Sequence, residues 1–131
     1  MAACLDSWAI LSWLDGDQPA ADQVAGVLER ERPVISWVNL VEVNYRIARD
    51  HGWDKADRAL SDLRSRVTED LPGVSDMRSV ARLKADHPIA LADCFAIALA
   101  AASKTDLLTG DPEIIDRSDK LFPCQVIDLR P

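Results

Sequence analysis

The chain has 131 residues, 48% of them apolar and 28% charged, and a formal net charge of −7. That length fits one domain over residues 1–131 with a sizeable core. The acidic balance excludes a protein that coats nucleic acid generally, because such binding rests on Lys and Arg neutralising phosphates.

Apolar runs of strand length alternate with helical patterns, which predicts an α/β domain with a mostly parallel sheet. The first strand is short, about Ala2 to Leu5. A helix begins at Asp6 and Ser7, with Trp8, Ile10, Leu11 and Leu14 as its apolar positions. A second helix is expected from Pro19 to Arg32, with Val24, Val27 and Leu28 inward. Pro33 to Ser36 reads as the second strand, and a helix follows from about Val38 to Asp50, ended by His51 and Gly52. Trp53 to Val67 is a charged amphipathic helix with Ala56, Ala59, Leu60 and Leu63 inward. Thr68 to Leu71 is a weak strand, and a helix from Asp76 to Ala85 has Ser75 as its expected N-cap. Pro88 opens the next helix. Asp106 to Thr109 is a strand, Pro112 to Asp119 a short helix, and Gln125 to Leu129 a last strand.

The helix after Pro88 carries the sharpest signal. Asp93 is the only charge between Ile89 and Ala102. By helical spacing it lies in line with Ile89, Ala96, Ile97 and Ala100, on an apolar face. A buried carboxylate needs a partner or it protonates, and no Lys or Arg lies within a helical turn. The partner must come from elsewhere in the fold or be a metal ion. The run is shorter than a membrane span and charged at its middle, which predicts a core helix and no membrane segment. The N-terminus lacks a basic stretch ahead of an apolar one, so no signal peptide is expected.

Three more acids fall at or near the carboxyl ends of predicted strands, where open α/β sheets bind ligands. Asp6 follows the first strand, Glu42 lies early in the helix after the second, and Asp111 follows Leu107 to Thr109. Each has a competing local role. Asp6 suits an N-cap. Glu42 can pair with Arg46 at i+4, although Val38 and Tyr45 share its face and suggest partial burial. Asp111 precedes Pro112, a common helix start. Crowded carboxylates repel one another and raise each other's pKa. A hard divalent cation such as Mg²⁺ resolves that conflict with oxygen ligands and suits phosphoryl chemistry. Cys4, Cys94 and Cys124 are odd in number and never spaced as C-x-x-C, which argues against a disulfide framework and a zinc site and fits a reducing cytoplasm. His51 and His87 are too few and scattered for a His-based metal site.

With the acids placed, the chain resembles the PIN-domain family, and more closely the VapC-type toxin ribonucleases of toxin–antitoxin pairs. The matching segments are Cys4-Leu5-Asp6-Ser7-Trp8-Ala9, Ile35 to Val43 around Glu42, His87 to Ala100 around Asp93, and Leu108-Thr109-Gly110-Asp111-Pro112. The resemblance covers nearly the whole chain. It implies a three-layer α/β/α sandwich and Mg²⁺- or Mn²⁺-dependent cleavage of RNA. It makes Asp6, Glu42, Asp93 and Asp111 the acidic metal site. Thr109 becomes a hydroxyl that orients an acid, and Ser7 a second of the same kind. It also implies a homodimer and a cognate antitoxin lying across the site. The family often has an aromatic residue three positions after its last Asp, where this chain has Ile114. Arg46, Arg49, Arg78, Arg82 and Lys84 are the candidates for a basic rim that grips phosphates.

Two rival functions share parts of this pattern. A phosphotransfer domain also gathers acids at strand ends. Haloacid-type phosphatases, however, want a second Asp two residues after the first, where Trp8 stands. Receiver domains want an acidic pair at the first strand and a Lys after a late one, and neither is evident. A non-catalytic binding module of the same fold is the other rival. The presence of all four acids argues against it.

Overall fold

The computed structural model describes residues 3–118 and 122–131. The predicted strand start at Ala2 and helix end at Asp119 lie outside those residues. In chain order the elements are β1 (Cys4–Leu5), α1 (Ser7–Asp15), α2 (Ala20–Arg30), β2 (Val34–Ser36), α3 (Trp37–His51), α4 (Trp53–Arg64), β3 (Thr68–Asp70), α5 (Asp76–Asp86), α6 (Leu91–Ser103), β4 (Leu107–Thr109), α7 (Pro112–Ile115) and β5 (Val126–Asp128). The strands form one sheet in the order β3-β2-β1-β4-β5, and every pairing is parallel.

Burial on both faces explains why the central strands read as unbroken apolar runs. Successive side chains point to opposite faces. Leu5, Ile35 and Leu108 join a core with α1, α2, α3 and α4, built on Ile10, Val24, Val43 and Leu63. Cys4, Val34, Leu107 and Val126 face the other way, onto Val80, Leu83, Ile89 and Ile97 of the α5–α6 side. Helices on both sides of the sheet give the three-layer α/β/α arrangement. Ile114, which stands where the resemblance implies an aromatic residue, is fully buried in the second core.

The chain runs outward from β1 through β2 to β3, then returns to β1's other side for β4 and β5. The order therefore reverses between β1 and β4, and the carboxyl ends of these two strands flank the crevice such a switch creates.

Three local expectations need correction. Leu14 is 38% exposed, because α1 ends one residue later at Asp15, with Gly16 as its C-cap, and its last turn runs out of packing partners. Gly16 takes a left-handed φ of 74°, and its N–H donates to the Ser12 and Trp13 carbonyls. Ser75 precedes α5 but makes no capping bond, since its backbone is already helical. The Asp76 carboxylate accepts instead from the Gly73 N–H at 2.7 Å. Glu42 and Arg46, one turn apart on α3, form no ion pair; the ion pairs among the described residues are Arg64–Glu69, Arg66–Asp62 and Arg130–Asp128, all exposed.

Helix α6 ends on Lys104, a non-glycine residue at φ 55° whose N–H donates to the Ala100 and Ala101 carbonyls. A left-handed side-chain-bearing residue costs about 1 kcal/mol or more. Lys104→Gly is expected to raise unfolding free energy by roughly 0.5–1 kcal/mol. Urea denaturation checks it, and an unchanged or lower midpoint would contradict the strain.

Candidate acidic site at the switch point

Asp6 leaves β1 and caps α1. Its Oδ1 accepts from the Ala9 N–H at 2.9 Å, and its Oδ2 accepts from the Thr109 hydroxyl. Thr109 in turn accepts from the Asp111 N–H at 3.0 Å through the same oxygen. One buried hydroxyl thus fastens the end of β1 to the end of β4. Asp111 caps α7, its Oδ1 accepting from the Glu113 N–H at 2.9 Å, with Pro112 at the first helical position. The capping roles anticipated for Asp6 and Asp111 are both realised, and they fix where each carboxylate points.

Asp93 lies in the first turn of α6 and is 6% exposed. Its Oδ2 is buried without a hydrogen-bond partner. A carboxylate oxygen from each of Asp93, Asp111 and Glu113 lies within 4.8 Å of the others. Asp6 and Glu42 stand outside that tight group but within electrostatic range of it. Both raise the Asp93 pKa, as do Asp111 and Glu113. The structure therefore brings Asp6, Glu42, Asp93 and Asp111 to one edge and adds Glu113. Sequence reasoning missed Glu113, although its place two residues after an Asp-Pro helix start was a usable signal.

Burial dominates the electrostatics. Desolvation, then the charges of Asp111, Asp6, Glu42 and Glu113, push Asp93 up to about 8. Desolvation likewise lifts Asp6 to about 7, against the opposing hydrogen bonds from Thr109 and Ala9. Asp111 is raised by desolvation and neighbouring acids, partly offset by its bond from Glu113 and by the positive charge of Arg46. Of the five basic-rim candidates, Arg46 is the one that acts on an acid here. Lys84 donates to the Ile89 carbonyl at 2.6 Å, and the Arg49 guanidinium lies 5.1 Å from the Tyr45 ring centroid. Ser7 meets no acid. Its hydroxyl donates to the Asn39 carbonyl at 3.3 Å.

The donor set is all oxygen, and one buried carboxylate oxygen lacks any partner. Both features fit a hard divalent cation. The cysteines are free, with Cys4 and Cys94 buried, and none belongs to this group. His87 is taken up edge-on against Phe122 at 4.8 Å.

A parallel three-layer sheet whose switch point presents carboxylates from several elements defines the class of domain. The chain belongs to the PIN domain family, whose model it matches over residues 3–121. No curated protein sequence matches it. Among solved structures it is similar to VapBC2 from Rickettsia felis bound to a DNA fragment from their promoter, with 13% identity, a TM-score of 0.78 and coverage of 99% of this chain and 100% of that one. VapBC-1 from nontypeable Haemophilus influenzae gives 22% identity, a TM-score of 0.72 and 98% coverage of each chain. A toxin–antitoxin complex from Klebsiella pneumoniae gives 16%, 0.75 and 98% of each. At these identities the likeness establishes the fold.

The raised acids predict a pH dependence. Asp6 and Asp93 titrate near about 7 and about 8 in the folded chain, against 3.8 ordinarily. Between those values the folded state binds more protons than the unfolded one, so stability falls as pH rises. Metal-free protein in EDTA should therefore melt at a higher temperature at pH 5 than at pH 8, and Asp93→Asn should flatten the slope. A melting temperature that rises across that interval in both proteins would refute the assignment.

Proposed function

We propose that this chain is a metal-dependent endoribonuclease of the VapC type, the toxin of a toxin–antitoxin pair. The observation that carries the proposal is the Asp93 carboxylate, buried without a partner within reach of Asp111 and Glu113. Membership in the PIN family supports nuclease chemistry, and the similarity to VapBC complexes supports the toxin role.

Asp93 and Asp111 would hold the cation, with Asp6 and Glu42 completing the acidic ring and Glu113 adding a solvent-side ligand. Mg²⁺ or Mn²⁺, when bound, supplies neutralisation of phosphate charge and a water of lowered pKa. Asp6 keeps its position through the Thr109 hydroxyl and the Ala9 N–H. With both oxygens so engaged, Asp6 is poorly placed to act as a phosphoryl acceptor, which weighs against the phosphotransfer alternative. Arg46 is the cation closest in influence to the acids and would draw an RNA phosphate toward them. A net charge of −7 means that this grip is local.

The partners follow from the same reading. A cognate antitoxin would bring a basic side chain to the carboxylates and silence the site, and the active unit would be a homodimer in the cytoplasm. No described helix is long and apolar enough to cross a membrane.

Asp93→Asn should lower metal-dependent RNA cleavage at least about 100-fold, in line with loss of a charged catalytic contact, while the protein still melts cooperatively. Cleavage at the wild-type rate would sink the proposal. Glu113→Gln should weaken Mn²⁺ binding by roughly 3–10-fold in calorimetry, a smaller loss because the side chain is exposed. A larger loss of Mn²⁺ affinity than Asp93→Asn causes would mean that Glu113, not Asp93, anchors the ion.

A further inference from the structure

Asn39 is fully buried in α3, one turn before Glu42. Its carboxamide Nδ2 donates to the Ser7 hydroxyl at 3.1 Å and to the Ala92 carbonyl at 3.4 Å. The Ser7 hydroxyl donates back to the Asn39 carbonyl at 3.3 Å. These three bonds join α1, α3 and α6 at one point. Each of the three residues sits beside or one turn from an acid: Ser7 follows Asp6, Ala92 precedes Asp93, and Asn39 shares a face with Glu42.

The carboxamide is a poor choice for packing alone. Its Oδ1 is buried without a partner. An unpaired buried acceptor costs free energy that an apolar side chain of similar size would not incur. What the amide provides is direction. It reaches across to both neighbouring helices, to the Ser7 hydroxyl on α1 and the Ala92 carbonyl on α6.

We propose that Asn39 is a positioning residue for the acidic site, and that with Ser7 it clasps the acid-bearing turns of α1, α3 and α6 at fixed spacing. This rests on the metal-site reading above for its consequence, and on the hydrogen bonds alone for its mechanism. Partners that orient metal ligands from behind commonly change metal affinity by about 10–100-fold when removed. Asn39 touches no ligand carboxylate directly, so the lower part of that range is expected.

The test uses the whole chain with Asn39→Leu, which keeps the branched shape and removes the Nδ2 donor of both bonds. Two readouts are taken, amide hydrogen exchange without metal and Mn²⁺ affinity by calorimetry. The Asp93 and Cys94 amides, which donate to the Ala90 carbonyl, should exchange at least about 10-fold faster, through local opening of the α6 first turn. Mn²⁺ affinity should fall about 10-fold. Unchanged exchange overturns the clasp, whether or not the wild-type chain binds metal or cleaves RNA. Faster exchange with Mn²⁺ affinity within twofold of wild type overturns the positioning role. If the wild-type chain binds no Mn²⁺ and cuts no RNA, the proposed function fails, and the exchange of Asp93 and Cys94 still decides the clasp. Should Asn39→Leu not fold, Ser7→Ala removes two of the three bonds and leaves the one to the Ala92 carbonyl, and the same two outcomes apply to it.

Discussion

Burial of carboxylates at the switch point, sharpened by their mutual repulsion, is the constraint around which the rest of this structure is arranged. Two unit charges about 5 Å apart at an effective dielectric of about 20 repel by roughly 3 kcal/mol. A domain of this size is stable by only about 5–15 kcal/mol. Asp93 and Asp111 alone therefore claim a large share of that margin if both are ionised. The chain offers Asp93 no ion pair and leaves one of its oxygens unbonded. What remains is to keep a proton, as its pKa of about 8 indicates, or to share a cation. A fold that places an acid so expensively, on the apolar helix that crosses the sheet, leaves its charge to be balanced by that proton or by a cation from outside the chain.

The other acids are made tolerable by local structure. Asp6 and Asp111 are helix N-caps, and a cap offers a carboxylate an N–H donor at the positive end of a helix. Capping and site membership looked like rival explanations from the residues alone. In three dimensions they are one arrangement. A strand that ends on a capping Asp presents that Asp at the carboxyl edge of the sheet, with one oxygen committed to the helix. Repeating the device at β1 and β4, on either side of the switch point, brings two acids together with no long-range design beyond strand order.

That economy explains what the sequence revealed. Asp93 was legible because a lone charge in an apolar helix has few explanations. The parallel sheet was legible because strands buried on both faces read as short apolar runs separated by helical periods. Strand ends were less so, since β1 has only two residues and carries no periodicity. Leu14 and Ser75 misled for a common reason: helical spacing and capping preference describe the helix interior and its first turn in isolation, and both positions are decided by what lies beyond the helix end. Glu113 and Asn39 were hidden differently. An acid in the first turn of a helix reads as ordinary surface, and an Asn on an amphipathic helix reads as part of its polar face. Only tertiary contact turns one into a neighbour of Asp93 and the other into a buried donor.

Thr109 and Gly110 show how tightly the edge is built. Thr109 uses one oxygen as donor to Asp6 and acceptor from Asp111, so a single hydroxyl sets the spacing of two acids from different strands. The next residue must then let α1 come close. A β-carbon on Gly110 would overlap the six-membered ring of Trp8, one of the largest side chains on α1. A larger residue there would push α1 away from β4 and stretch the Asp6–Thr109 bond. The Thr-Gly-Asp-Pro sequence is thus a chain of separate necessities: a hydroxyl to bridge, no side chain to admit an indole, a carboxylate to cap and reach the site, and a ring that starts the helix. None is catalytic by itself. Together they decide that the carboxylates of β1 and β4 meet where α6 delivers Asp93.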